Sequence, residues 1–175
     1  VAVSNRIYET FLYNLFLADE IIHNNVFYKE SSFNKNKYIS SNKLNMQEIL
    51  SGFIKTYTEI YGQIEEKFVE KEGRKLFLLY LKPIINGTGN YYIEAETRDN
   101  KRTDVIIDYL GQRYIIEMKI WHGERYNAEG EKQLSDYLDY YNLTEGYMLS
   151  FNFNKKKKPG LERVKVGEKT LIEAI

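Results

Sequence analysis

The chain reads as an α/β domain. Its core runs helix, strand, strand, strand, helix, strand around a mixed central sheet, with a helical segment in front of it. Three observations predict this order. Apolar residues recur at helical spacing up to about residue 82. The spacing then switches to strand alternation past Asn86-Gly87-Thr88-Gly89. It returns to helical over 128–142, before a last set of strands.

Taken in order, 3–25 is predicted helical from Phe11, Leu12, Leu15 and Phe16, continued by Asp19, Ile21 and Ile22. Residues 29–42 are rich in Ser, Asn and Lys and read as a loop or linker. Asn45 is placed to cap a helix over 46–61, with Met46, Ile49, Leu50, Phe53, Ile54 and Tyr57 as its apolar stripe. A second helix over 64–82 carries Phe68, Gly73, Leu76, Phe77, Leu79 and Tyr80 largely on one side and ends at Pro83. Strands follow over 91–97, 103–110 and 112–121, the last two reversing at Gly111-Gln112. The helix over 128–142 presents Leu134, Tyr137, Leu138 and Tyr141. A strand over 146–153 and a hairpin over 162–174 around Gly167-Glu168 complete the chain. This divides the chain into a helical extension at 1–60 and an α/β domain at 61–175, and no internal repeat is present.

With 175 residues the chain can bury a core of its own. It has no cysteine, which excludes disulfides, thiolate catalysis and cysteine-ligated zinc. No apolar run is long enough to span a bilayer and no signal peptide opens the chain, so a cytoplasmic location is expected. The formal net charge is zero, so any nucleic-acid binding has to rest on a local patch. The first residue is Val1 rather than Met, from which a fragment of something longer is expected. Most of the 16 tyrosines and 9 phenylalanines read as packing.

The chemistry concentrates in 102–121, RTDVIIDYLGQRYIIEMKIW. With a two-residue turn at Gly111-Gln112, Leu110 pairs with Arg113, Asp104 with Lys119, Ile106 with Glu117 and Asp108 with Ile115. Side chains alternate along strands, so Asp104, Asp108, Glu117 and Lys119 share one face. Val105, Ile107, Tyr109, Tyr114, Ile116 and Met118 share the other, which is the expected core face. A four-residue loop keeps this parity; a three-residue loop breaks it unless a bulge restores it. Asp104 and Glu117 would be diagonal neighbours at roughly 7–8 Å, within reach of a shared ion. Oxygen ligands alone suit Mg2+ or Mn2+. Such an ion could polarise a phosphate and acidify a bound water, with Lys119 stabilising the developing charge, which makes phosphodiester hydrolysis a coherent reaction class. The plain alternative is that Asp opposite Lys is an ordinary cross-strand ion pair on a solvated face. Strongly apolar strands and helices on both sides weigh against it, because a charged cluster in a covered sheet needs a partner or an ion.

Asp104 followed on the next strand by Glu117-Met118-Lys119, within this element order, resembles the PD-(D/E)XK nuclease superfamily. Thr103 stands where the motif's Pro usually is. The stretches YLKPIINGTGNYYIEAETRDNKRTDVIIDYLGQRYIIEMKIWHG and GEKQLSDYLDYYN…GYMLSFNFNKKK are similar to the nuclease-like C-terminal region of bacterial proteins that carry an AAA-type ATPase in their N-terminal part. The start of the chain, with NRIYETFLYN, resembles the segment that follows that ATPase. No GxxxxGK[ST] phosphate loop is present.

The resemblance implies a restriction-endonuclease-like αβββαβ fold and a Mg2+- or Mn2+-dependent nuclease acting on DNA, normally fused to the ATPase. RNA is not excluded as substrate. It implies Asp104, Glu117 and the backbone carbonyl of Met118 as metal ligands and Lys119 as the catalytic cation. It also implies an assisting acid on the helix before the first strand, best matched by Glu72, with Glu66 and Glu70 as weaker matches. Gln133 matches a position from which some members orient the water or contact the phosphate. The alternative is a catalytically inactive module of the same fold that docks to the ATPase or forms a homo-oligomer. That alternative expects Lys119 locked in a plain ion pair with Asp104 and no cleft, whereas an enzyme expects Asp104, Glu117 and Lys119 to point into one accessible cleft with space for an ion.

Arg98, Arg102 and Arg125, with Lys101 and Arg113, surround the proposed site and are candidates to grip phosphates. Lys155 and Lys156 open a basic run through Lys158 near Phe151 and Phe153 and could track a nucleic-acid backbone. Ordinary solvated charge reads equally well for the arginines and Lys101, and is the favoured reading for the run at 155–158, which sits at a turn. Glu94 and Glu96 read as surface or supporting acids, and His122 beside Trp121 as loop surface within reach of a substrate.

Overall fold

The structure is a computed structural model and describes residues 8, 11, 12, 14, 15, 17–19, 26–61, 70–96, 102–153 and 158–175, with the side chains of 94–96, 102 and 103 outside that description. The described residues between 8 and 19 are helical, as their spacing predicts. Then follow α1 (Val26–Phe33), the single turn α2 (Lys35–Tyr38), a small hairpin of β1 (Ile39–Ser40) and β2 (Lys43–Leu44), α3 (Met46–Tyr61) and α4 (Glu70–Ile85). After them come β3 (Gly89–Glu96), β4 (Arg102–Tyr109), β5 (Gln112–Ile120), α5 (Glu124–Tyr140), β6 (Glu145–Phe151), β7 (Leu161–Val166) and β8 (Lys169–Ala174).

Six strands form one sheet in the order β3-β4-β5-β6-β8-β7. β3, β4 and β5 pair antiparallel, β5-β6 and β6-β8 pair parallel, and β7 pairs antiparallel with β8. The sheet is therefore mixed, and α5 is the crossover that parallel neighbours β5 and β6 require. The predicted core order from α4 to β6 is present, and the expected hairpin over 162–174 extends the sheet.

Two layers cover the sheet. On one face Val105, Ile107, Tyr109, Tyr114, Ile116 and Met118 join a large core with α3 and α4. On the other, Ile115, Met148 and Leu171 pack under Leu134, Tyr137 and Leu138 of α5. Phe27, Tyr38, Phe53 and Tyr57 belong to the first of these cores, so the helices before residue 61 pack on the same core as the sheet. Burying both faces is what places strand-borne charges under helices and out of water.

Three local expectations are corrected. Residues 29–42 are not a loop but take in the rest of α1, all of α2, and β1 with the turn that leads to β2; polar composition hid a helix whose buried residues are Phe27 and Ser31. Pro83 lies inside the last turn of α4; so near the end its missing N–H forfeits one bond of the ladder. The β4-β5 reversal falls at Leu110-Gly111, with φ of 47° and 79°, so Tyr109 pairs with Gln112 and Val105 with Ile116. Positive φ at both central residues is the two-residue turn that matches strand twist. Every cross-strand partner shifts by two positions. A shift of two preserves which face each side chain occupies, so the predicted faces survive although the predicted partners do not. Asp108 now faces Arg113, and the two form an ion pair at 2.9 Å.

The capping expectation holds, with Glu48 N–H donating to Asn45 Oδ1 at 3.3 Å. Gly73 is needed for packing. A Cβ there would sit 2.2 Å from the Phe151 ring, so α4 can approach β6 only without one.

Candidate active site

Asp104 lies on β4 just beyond the Val105-Ile116 pair. Met118 N–H donates to Asp104 Oδ2 at 2.7 Å, so the carboxylate ties the two strands together where the ladder stops. Its other oxygen accepts from Arg74 Nη1 of α4 at 3.2 Å. Glu117, on β5, is 1% exposed, and its Oε1 is 2.9 Å from Lys119 Nζ. Lys119 therefore pairs with Glu117. The stem of Lys119 lies against Gly130 of α5, where a Cβ would stand 3.4 Å from Lys119 Cγ.

Electrostatics bind these groups into one cluster. Burial, and then the Asp104 carboxylate, push Glu117 up to about 8, against the opposing pull of Lys119. Burial alone would lower Lys119, but the Glu117 carboxylate, its hydrogen bond, Asp104 and Glu70 together hold it above the ordinary lysine value. Glu70 of α4 is raised by burial and by Asp104, and it feels Lys119 and Arg74. Three carboxylates thus face two cations in a site largely shut off from water.

Of the acids expected on the preceding helix, Glu70 feels the Asp104 carboxylate. Glu72, the better match by sequence, is exposed on the same helix. Two residues turn a helix by about 200°, so the two cannot share a face. Glu66 lies outside the described residues. Gln133 is half-buried on α5 and its Nε2 donates to Tyr137 Oη at 3.0 Å. Tyr137 is raised by burial and further by the charges of Glu117 and Asp104, which places this pair at the edge of the cluster. Arg125 is exposed in the first turn of α5. Arg98, Lys101, Lys155 and Lys156 lie outside the described residues, as do the side chains of Glu94, Glu96 and Arg102.

Sequence reasoning missed Arg74 and Tyr137 as site residues. The available signal was spacing of four on a helix, Glu70 to Arg74 and Gln133 to Tyr137, which sets both members of a pair on one face.

The donor set suits a hard cation. Glu117 Oε2 is buried and, among the described residues, accepts no hydrogen bond, a costly state that a cation would relieve. Among the described residues no three His, Cys, Asp or Glu side chains come close enough to hold an ion. An ion here would draw on Asp104, Glu117 and backbone or solvent oxygens. That pattern fits Mg2+, which keeps several waters, better than an all-protein cage.

Fold and site together define a nuclease-type domain with a restriction-endonuclease-like fold. A family profile described as the PD-(D/E)XK nuclease superfamily matches residues 47–164, about two thirds of the chain, and the protein belongs to that superfamily. Its members generally hydrolyse phosphodiester bonds and typically use divalent metals. No curated protein matches the chain. Among the described residues no helix is long and apolar enough to cross a membrane.

Proposed function

We propose that this domain is a Mg2+- or Mn2+-dependent nuclease that hydrolyses phosphodiester bonds in DNA, and that it works as part of a protein that also carries an AAA-type ATPase. The observation that carries the reading is the convergence of Asp104, Glu117 and Lys119 from two adjacent strands, with one Glu117 oxygen buried and unpartnered among the described residues. The ATPase association rests on the sequence resemblance alone.

Asp104, Glu117 and the Met118 carbonyl would hold the ion. When bound, a divalent ion supplies Lewis-acid polarisation of the phosphate and acidifies water beside it. Lys119, 2.9 Å from Glu117, would neutralise charge developing on the phosphate. Arg74 and the Met118 N–H hold the Asp104 carboxylate in one orientation. Glu70, in place of Glu72, completes the acidic wall. Gln133, whose amide donates to Tyr137, would orient water or contact the phosphate.

The test is cleavage of single- and double-stranded DNA and RNA with Mg2+ or Mn2+ by the native protein and by Lys119→Ala. Metal-dependent cleavage lost in the variant supports the reading. No cleavage by folded protein with either metal overturns it in favour of a docking module.

A further inference from the structure

The short connection from β5 to α5 starts two residues beyond Lys119 and carries aromatic side chains. His122 is exposed and its ring meets that of Tyr126 edge-on at 5.2 Å, with 80° between planes. Tyr126 is itself 40% exposed. Gly123 between them has φ of 116°, a backbone state that only glycine adopts readily, and its carbonyl accepts from Asn127 N–H at 3.1 Å. The turn that swings the chain from strand to helix therefore sets His122 and Tyr126 against each other.

Tyr126, Gly130, Gln133 and Tyr137 stand at spacings of four, three and four along α5, which is one stripe of the helix. Gly130 touches the Lys119 stem and Tyr137 feels Glu117 and Asp104. The stripe faces the candidate active site, and Tyr126 is its solvent end. Exposed Arg125 adjoins it and supplies positive charge. A single exposed tyrosine needs no explanation. Two aromatic rings braced in a T at the end of a stripe that leads to the charged cluster leave a partly exposed tyrosine ring held in place beside an arginine.

We infer that Tyr126, braced edge-on by His122, forms a stacking platform for an unpaired base, so that the site takes a single DNA strand, its phosphates following Arg125 toward Lys119. The inference rests on the nuclease reading for the destination of the phosphate but not for the stacking itself. A paired base in a duplex offers its neighbours, not a protein ring, its π-face; an unpaired base stacks on an aromatic side chain.

The test is binding of fluorescein-labelled oligo-dT, oligo-U and a blunt DNA duplex of equal length by anisotropy, in EDTA. The full chain is compared with Tyr126→Ala and Tyr126→Phe, each checked for fold by circular dichroism. We expect Tyr126→Ala to weaken oligo-dT binding about tenfold and Tyr126→Phe to keep it, since base–ring stacking is worth about that much. Duplex binding should move less than about twofold, a margin far inside the stacking effect. Fluorescence of 2-aminopurine in the strand should be quenched by the native protein and not by Tyr126→Ala. Oligo-U binding with the same Tyr126 dependence also supports a platform, one that reads the ring and not the sugar. Unchanged oligo-dT binding in Tyr126→Ala, or an equal loss on duplex, overturns it. Cleavage by the native protein with no effect of Tyr126→Ala on single-strand binding sinks the platform and leaves the nuclease reading standing. Tyr126-dependent binding without any cleavage does the reverse.

Discussion

Arg74 and Asp104 sit 30 residues apart in sequence and meet at 3.2 Å, with only 9% and 15% of their side chains exposed. The pair joins α4 to the strand that carries the candidate metal ligand. Removing the arginine leaves a largely buried carboxylate near Glu117 and Glu70. Arg74→Ala is expected to cost about 3 kcal/mol, the usual penalty for breaking a buried pair from one side. A fall in the urea midpoint at constant m value would show it; an unchanged midpoint would show the pair to be energetically idle.

Lys119 and Glu117 offer a test of stability against function. Lys119→Ala is expected to lower cleavage at least about a hundredfold and to destabilise, because a buried carboxylate loses its cation. Replacing both, as Glu117→Gln with Lys119→Met, should recover most of the stability while cleavage stays lost, since a neutral pair carries a far smaller desolvation penalty than an unpaired buried charge. Thermal melts and cleavage assays on the three proteins decide this.

The two glutamates of α4 should separate cleanly. Glu70→Gln is expected to reduce cleavage about tenfold, and Glu72→Gln to stay within about twofold, because only Glu70 shares the field of Asp104 and Lys119. The reverse ranking would return the role to Glu72.

Glu173 predicts a pH dependence away from the active site. It is 2% exposed and accepts from Asn127 Nδ2 at 2.8 Å, while the same amide reaches Glu131 at 3.0 Å. Burial, and then Glu131 and Glu162, push its carboxyl up to about 7, against the Asn127 hydrogen bond. The folded state thus holds a proton that the unfolded chain releases near 4.5. The stability linked to that proton is full below about 4.5 and is lost as pH rises through about 7. Between about pH 5 and about pH 8 the native protein should lose on the order of 1–3 kcal/mol more than Glu173→Gln, measured by urea unfolding. Parallel pH profiles for the two would remove Glu173 as the source.

Gly73→Ala pits helix propensity against packing. Alanine gains about 1 kcal/mol in an isolated helix. Here its Cβ would meet the Phe151 ring at 2.2 Å. A net loss of about 1–2 kcal/mol is expected, because overpacking outweighs propensity, and Phe151→Leu in the same chain should recover part of it. A more stable Gly73→Ala would mean that the ring yields freely.

Much of the site was legible in the order of residues. Alternation along β4 and β5 puts Asp104, Glu117 and Lys119 on one face in either register, because moving the turn by one residue shifts every partner by two. That robustness is why the triad could be read without knowing the turn. The partners could not: placing Asp104 opposite Lys119 assumed Gln112 in the turn, whereas Leu110 occupies it, at φ of 47°. Glu72 was preferred over Glu70 because a motif match ranks residues by position, while burial ranks them by helix face.

Local rules, then, determined the elements, the core face and the chemical class, since periodicity and side-chain chemistry are properties of the chain itself. The small elements between 26 and 44 escaped them, because short polar segments carry too few buried contacts to leave a pattern. Only the tertiary structure decided that Arg74 holds Asp104, that Lys119 holds Glu117, and that Tyr137 and Glu70 close the cluster. Those contacts depend on how α4 and α5 dock on the two faces of the sheet. The docking is set by close approaches such as Gly73 to Phe151 and Gly130 to Lys119, which are distances between segments remote in sequence and leave no trace in its local order.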